Sequence, residues 1–319
     1  MKMLIRRIAC LFLLTLCIVS AYGQKMNKTF TGIRKINLTT SSGSCRLVKG
    51  TTSEVSVTVR HSYASNDYQP AMEQDGSTLY LKEDFAGRGS YSGSSSWELT
   101  VPDNIEIRFS SGSGDFEAND MVLKLTGSTG SGDYRWKNVS GESKINTGSG
   151  NITIDDFRGT LDLNTGSGDV AVTKASGDLY LNTGSGEISL TQVKGKFSAN
   201  VGSGNIKGSQ LELTGKSTFN SGSGNINVRL ATVPDFAIAV NSGSGDAVLD
   251  FNGNKIEGKI TMVVNKRNGN IVAPFAFDKT EELDEDGYNN VRIRKTAQLG
   301  AKDVDIKISS GSGTAEIRK

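Results

Sequence analysis

The stretch from Thr147 to Gly186, TGSGNITIDDFRGTLDLNTGSGDVAVTKASGDLYLNTGSG, repeats itself every 18 residues. Outward from it, Gly-Ser-Gly starts at Gly112, Gly130, Gly148, Gly166, Gly184 and Gly202, 18 apart at every step, then recurs with longer spacings at Gly222 and Gly243. A degenerate copy stands at Asn268-Gly269-Asn270, and a last one begins at Gly311. A period held this long marks a stacked repeat architecture.

Laid over one another, the units give columns. Tyr134, Ile152, Val170, Ile188 and Ile206 follow the first Gly by four residues, and Trp136, Ile154, Val172, Leu190 and then Gly208 follow by six. Leu125, Ser143, Leu161, Leu179 and Phe197 precede it by five, and Gly127, Ile145, Leu163, Leu181 and Ala199 by three. Alternate apolar positions on both sides of the turn predict two strands per unit, each with one buried face. A further apolar column, Val139, Phe157, Ala175, Val193 and Leu211, predicts a corner, followed by a second Gly column at Gly141, Gly159, Gly177 and Gly195. Neither half-strand can bury its apolar face alone. Coils stacked at about 4.8 Å enclose a core between two parallel sheets. The predicted fold is all-β: a single-chain parallel β-solenoid with about 18 residues per coil and β-rich terminal caps. Roughly nine coils between Gly112 and Asn270 predict a rod about 40 Å long.

The predicted organisation is a signal peptide at 1–23, an N-terminal β-rich region and cap at 24–110, a solenoid of Gly-Ser-Gly repeats at 111–277, and an acidic loop with C-terminal capping strands at 278–319. The leader is read from Lys2, Arg6 and Arg7, the apolar run Ile8 to Val19, and Ala21-Tyr22-Gly23. The apolar run is too short to span a bilayer, which takes about 20 residues. Without the leader, 36 basic residues against 34 acidic become 33 against 34, and the case for nucleic-acid binding goes with the excess. Export is therefore expected, to the periplasm, the cell surface or the medium. Cys10 and Cys17 lie in the leader, so Cys45 is the only mature thiol and no intramolecular disulfide is expected. Leu16 stands where processing of a lipid anchor on Cys17 would favour a small residue.

Several columns carry chemistry that structure explains equally well. Asp115, Asp133, Asn151, Asp169, Glu187, Asn205, Asn225 and Asp246 follow the turn directly. They suggest a cation row, but calcium-binding nonapeptide repeats place the acid differently and at half this period, and neutral Asn interrupts the acids here. A strand-start role is expected instead. The Ser column, Ser131, Ser149, Ser167, Ser185 and Ser203, has no recurrent base to make a nucleophile. Asn146, Asn164, Asn182, Asn200, Asn220 and Asn241 stand two before the Gly, where stacked amides can hydrogen-bond along the axis. Asp155 and Asp156 are the nearest approach to the carboxylate pair of a glycoside hydrolase, yet neighbouring acids on a strand face opposite sides. His61, the only His in the chain, leaves little material for His-based metal sites or triads. Trp97 and Trp136 sit in apolar slots and are expected in the core. The Ser-rich stretch from Gly87 to Ser96 and the acidic run from Asp278 to Asp286 are expected as loops.

Trp97-Glu98-Leu99-Thr100-Val101-Pro102, Ile105-Glu106-Ile107 and Ser110-Ser111-Gly112-Ser113-Gly114-Asp115-Phe116, with the Ser/Thr-Gly-Ser-Gly-Asp/Asn units that follow, resemble the bacterial putative-adhesin family of β-strand-repeat proteins. That family is defined as a domain of unknown function. The resemblance covers roughly residues 30–319 and implies an envelope or extracellular β-solenoid with an adhesin-like role; it supplies no catalytic or binding residue to carry over. The expected function is non-enzymatic recognition of a glycan or protein partner, with no catalytic, cofactor or metal residue assigned, no nucleic-acid partner and no mature membrane span. A structural or sensory envelope module and a polysaccharide-cleaving β-helix enzyme are the alternatives.

Overall fold

The computed structural model describes residues 23–87, 89–284 and 291–319, which form 25 strands. The leader expected at 1–23 lies outside the described residues except for Gly23. The N-terminal strands are β1 (Gln24–Phe30), β2 (Lys35–Thr40), β3 (Ser44–Lys49), β4 (Val55–His61), β5 (Tyr68–Asp75), β6 (Thr78–Phe85), β7 (Ser95–Val101) and β8 (Ile105–Ser111). The body holds β9 (Phe116–Thr129), β10 (Tyr134–Thr147), β11 (Ile152–Thr165), β12 (Val170–Thr183), β13 (Ile188–Thr191), β14 (Lys194–Val201), β15 (Ile206–Leu213), β16 (Ser217–Ser221), β17 (Ile226–Leu230), β18 (Ile238–Ser242) and β19 (Ala247–Asp250). The chain ends with β20 (Gly258–Asn265), β21 (Asn270–Val272), β22 (Lys279–Asp284), β23 (Val291–Leu299), β24 (Asp305–Ser310) and β25 (Thr314–Arg318).

Body strands pair in parallel at the sequence period, so that Tyr134 lies beside Ile152 and Ile152 beside Val170. Each 14-residue strand bends once, at a non-glycine residue in the left-handed region. Asp120, Asn138, Asp156, Lys174, Gln192 and Gln210 form this column, with φ between 51° and 57°. The bend lets one strand serve both sheets, turning the apolar positions on either side of it into the same core. Departures from the apolar columns compensate one another in size. Gly127 leaves the space that the Tyr134 ring fills, since a Cβ there would stand 2.6 Å from the Tyr134 hydroxyl. Gly208 likewise makes room for Leu211. Trp97 and Trp136 are buried as expected.

The stack does not begin at residue 111. Strands β2 and β3 pair in parallel with β8 and β9, and β6 and β7 pair in parallel with β2 and β3 on the far side. The first segment of the chain thus forms the second level. The chain then makes the antiparallel outer strands β4, which also pairs with the opening strand β1, and β5, lays down the first level as β6 and β7, and passes over its own start to continue at β8. The other end mirrors this. β24 and β25 lie between β18/β19 and β20/β21, so the C-terminal coil is the penultimate level, while the β20–β21 coil with the antiparallel β22–β23 hairpin closes the end. Among the described residues twelve levels stack, a rod of roughly 50 Å at ~4.8 Å per level; ten of them run from the Gly112 turn to the closing coil, where nine were expected, because the C-terminal coil is inserted there. The acidic run is not all loop: residues 279–284 are strand β22, paired with β23.

The outermost strands are poor templates for further pairing. β5 carries Pro70, β21 is three residues long, and β22 reads KTEELD. Proline, brevity and charge are the usual protection of exposed sheet edges.

Candidate functional site

The polar columns resolve into ladders. The side-chain oxygen of each residue after the turn accepts the backbone N–H of its counterpart one coil on: Asp115 from Asp133 at 2.9 Å, Asp133 from Asn151 at 2.8 Å, Asn151 from Asp169 at 2.9 Å, Asp169 from Glu187 at 2.8 Å. The series runs on through Asn205, Asn225 and Asp246, which accepts from Thr314. Asp and Asn exchange freely here because each offers an oxygen at the same reach. Glu187 is one carbon longer, and its carboxylate pairs with Lys207 instead. Among the described residues, no group of three or more His, Cys, Asp and Glu side chains is arranged to hold a metal ion.

A second ladder comes from the residue before the turn. Thr147 donates from its hydroxyl to the Gly132 carbonyl of the preceding coil at 3.2 Å and accepts from the Gly150 N–H at 3.0 Å. Thr165, Thr183, Ser221, Ser242 and Ser310 repeat both bonds. Glycine is held in the turn by close approach: a Cβ at Gly150 would stand 1.9 Å from the Gly132 oxygen. The Asn ladder links Asn164, Asn182, Asn200, Asn220 and Asn241 at 2.8–2.9 Å and ends on the Ser309 hydroxyl. The turn serines are exposed, and their backbone N–H groups bond to the coil below.

Asp155 and Asp156 are not a working pair. Asp156 sits at the left-handed bend beside Arg158 at 3.3 Å, and Asp155 lies 4.0 Å from Lys174. Cys45 is buried, and burial pushes its thiol well above the usual range.

The side chains that gather into a concave site come from the first two levels, at the head of the turn ridge. Strand β2 leads into Ser41-Ser42-Gly43, a turn equivalent to Gly-Ser-Gly. Below it, where another turn would repeat, residues 86–87 and 89–94 belong to a wider loop between β6 and β7. Phe85, at the end of β6, meets Tyr91 of the loop in a stacked pair at 5.0 Å, Tyr63 edge-on at 5.2 Å, and Tyr68 at 5.2 Å. Tyr63 stacks on Tyr68 at 4.8 Å, and His61 lies 4.5 Å behind Tyr68. The Tyr63 hydroxyl is 3.0 Å from that of Ser42, and the Tyr91 hydroxyl donates to the Ala86 carbonyl at 2.7 Å. The Ser-rich stretch is therefore fixed to the fold through Tyr91, and its last two residues belong to β7. A pocket of about 500 Å³ opens between Ser41, Ser42, Tyr63, Phe85 and Tyr91. His61 is buried, with Nδ1 unpartnered among the described residues; it belongs to the ring cluster behind the pocket rather than to the surface.

Sequence reading missed this site because its parts are dispersed along the chain. The available signal was Thr40-Ser41-Ser42-Gly43, a turn unit with Ser in place of the first Gly.

Residues 33–273 match the model of a family described as Toastrack DUF4097. No curated protein matches the chain. Among solved structures it is similar to a "putative cell adhesion protein" from Clostridium sporogenes, at 16% identity and TM-score 0.23, covering 93% of this chain and 99% of the other. It is also similar to a "putative lipid binding protein" from Parabacteroides distasonis, at 16% identity and TM-score 0.39, covering 93% and 98%. A "putative adhesin" from Parabacteroides distasonis matches at 11% identity and TM-score 0.33, covering 93% and 98%.

Proposed function

The chain belongs to the Toastrack DUF4097 family, and from that premise we propose an exported, adhesin-like recognition protein that binds a glycan in the aromatic pocket at the head of its solenoid. One observation carries this reading: the half-exposed faces of Phe85 and Tyr91 border the same pocket as the hydroxyls of Ser41, Ser42 and Tyr63. A sugar ring has an apolar C–H face and a rim of hydroxyls, and this pocket offers an aromatic wall and a rim of donors and acceptors to match. The volume suits one ring of a chain end, within the range of small-ligand sites, about 300–1,000 Å³. The rod behind it holds the pocket clear of whatever carries the opposite end. Binding without turnover is the reading because the pocket pairs rings with hydroxyls and sets no paired carboxylates across a scissile bond.

Glycan-array screening of the purified protein, followed by calorimetric titration of any hit, tests the proposal. Saturable binding that falls about tenfold or more in Tyr91→Ala, with the cooperative melting of the solenoid retained, is expected. Absence of saturable glycan binding, or binding indifferent to Tyr91→Ala and Ser42→Ala, overturns it.

A further inference from the structure

The far end of the rod carries a second concavity of different chemistry. The β22–β23 hairpin continues the sheet of β18, β24 and β20, and their outward side chains border a groove of about 570 Å³. The groove crosses five strands, a length on the order of 19 Å at ~4.8 Å per spacing. Lys259, Lys307, Arg292 and Arg294 line it, against Glu281 and Asp305. Glu281 is already paired with Lys279 at 2.7 Å, and that contact, helped by Arg294, holds its carboxyl below the usual range. Among the described residues, neither Lys259 nor Lys307 has a carboxylate within 4.0 Å, unlike Lys144 and Lys194 on the body, which pair with Asp162 and Glu212. What distinguishes Lys259 and Lys307 is that their two exposed ammonium groups converge, with Arg294, on one concave face.

We propose that this groove binds a carboxylate-bearing oligosaccharide. Lys259, Lys307 and Arg294 take its carboxylates, Thr261 and Thr296 its hydroxyls, and Val263 underlies its C–H faces. A compact phosphate needs only the cations. An extended floor that alternates cation, hydroxyl and aliphatic carbon fits a polyhydroxy chain with charge at intervals. The site shares no residue with the aromatic pocket and stands or falls independently of it.

Fluorescence anisotropy with labelled oligogalacturonate, its fully methyl-esterified form, and tripolyphosphate as competitor tests the inference. The wild-type protein is expected to bind oligogalacturonate saturably, with affinity falling as salt rises. The ester and tripolyphosphate are expected to be weaker by about tenfold or more. Lys259→Gln/Lys307→Gln should lose about tenfold or more, while Lys137→Gln/Lys174→Gln, which removes the same charge from the body, should bind as wild type. Thr296→Glu, which sets a carboxylate in the groove without removing a lysine, should weaken binding in the same direction. Failure of oligogalacturonate to bind, equal binding of the ester or of tripolyphosphate, or equal loss in the two double variants overturns the proposal. Loss of oligogalacturonate binding in the groove variants with neutral-glycan binding intact would separate this site from the aromatic pocket.

Discussion

The Glu83 carboxylate accepts the backbone N–H of Ser41 at 2.6 Å and that of Ser42 at 3.4 Å. In the body, the equivalent N–H groups bond to carbonyls of the coil below, as Ser131 does to Gly112. At the head of the ridge no turn lies below, and the second oxygen of Glu83 also receives the Ser95 hydroxyl. One side chain thus stands in for a missing turn. Glu83→Ala should destabilise the protein by about 1–3 kcal/mol, the cost of stranding donors. Thermal or urea melting reads this, and faster amide exchange at Ser41 and Ser42 would localise it.

The Thr/Ser ladder is interrupted within the body at Val201. Val201 precedes its turn without a hydroxyl, so the Gly186 carbonyl accepts no side-chain bond and the Gly204 N–H has no hydroxyl to donate to, unlike the pairs made by Thr183 and Ser221 in neighbouring coils. Val201→Thr restores both partners at the same shape and should stabilise by about 0.5–1.5 kcal/mol. Thr165→Val removes them and should cost about 1–3 kcal/mol. Opposite shifts of the urea midpoint at constant slope are the expected readout.

Lys174 occupies the bend at φ 52° where Asp, Asn or Gln stands in other coils. A non-glycine residue there costs roughly 1–2 kcal/mol, and its ion pair with Asp155 at 4.0 Å is exposed and returns little. Glycine removes that cost but loses about 0.5–1 kcal/mol more chain entropy on folding, so Lys174→Gly should raise stability by about 0.5–1 kcal/mol net. A fall in the melting temperature would show that the aliphatic stem of Lys174 outweighs its backbone conformation.

These positions show what the sequence carried and what it did not. The apolar columns and the Asn and Asp/Asn ladders were legible because each coil repeats the same environment at the same offset. The bend was hidden, since Asp, Asn, Lys and Gln share no signature of positive φ as Gly does. Thr40-Ser41-Ser42-Gly43 escaped because glycine is needed only where a carbonyl of the coil below crowds the turn; Ser41 has none beneath it. The order of the terminal levels could not be read because pairing of β2 with β8, or β18 with β24, joins segments 68 to 71 residues apart, and periodicity records only neighbours in sequence.

The threaded C-terminus has a direct consequence. β24 and β25 bury Ile306, Ile308, Ala315 and Ile317 between the body and the closing coil. Deleting residues 305–319 should cost at least ~5 kcal/mol in buried apolar surface and detach the 258–299 unit, making it protease-sensitive. A terminal cap in last position would merely fray, leaving the melting transition nearly in place.

Acid should loosen the opposite end. Asp103 is held below the usual carboxylate range first by the Lys49 ammonium at 2.6 Å and then by the Val122 N–H at 2.8 Å, and Glu106 by Lys35 at 2.8 Å. Both carboxyls have folded-state values below their unfolded ones. Their contribution is therefore complete above the unfolded range, near pH 4–4.5, and is lost as pH falls through the depressed values. These pairs tie β3 to the loop before β8 and to β9, and β2 to β8, so the join between threaded start and body should open first. Hydrogen exchange between pH 5 and 3 should show protection lost at Val122 and around Glu106 before the middle coils. Lys49→Met should flatten the acid dependence there, because Asp103 then has less to lose on protonation; an unchanged pH profile in that variant would assign the acid sensitivity elsewhere.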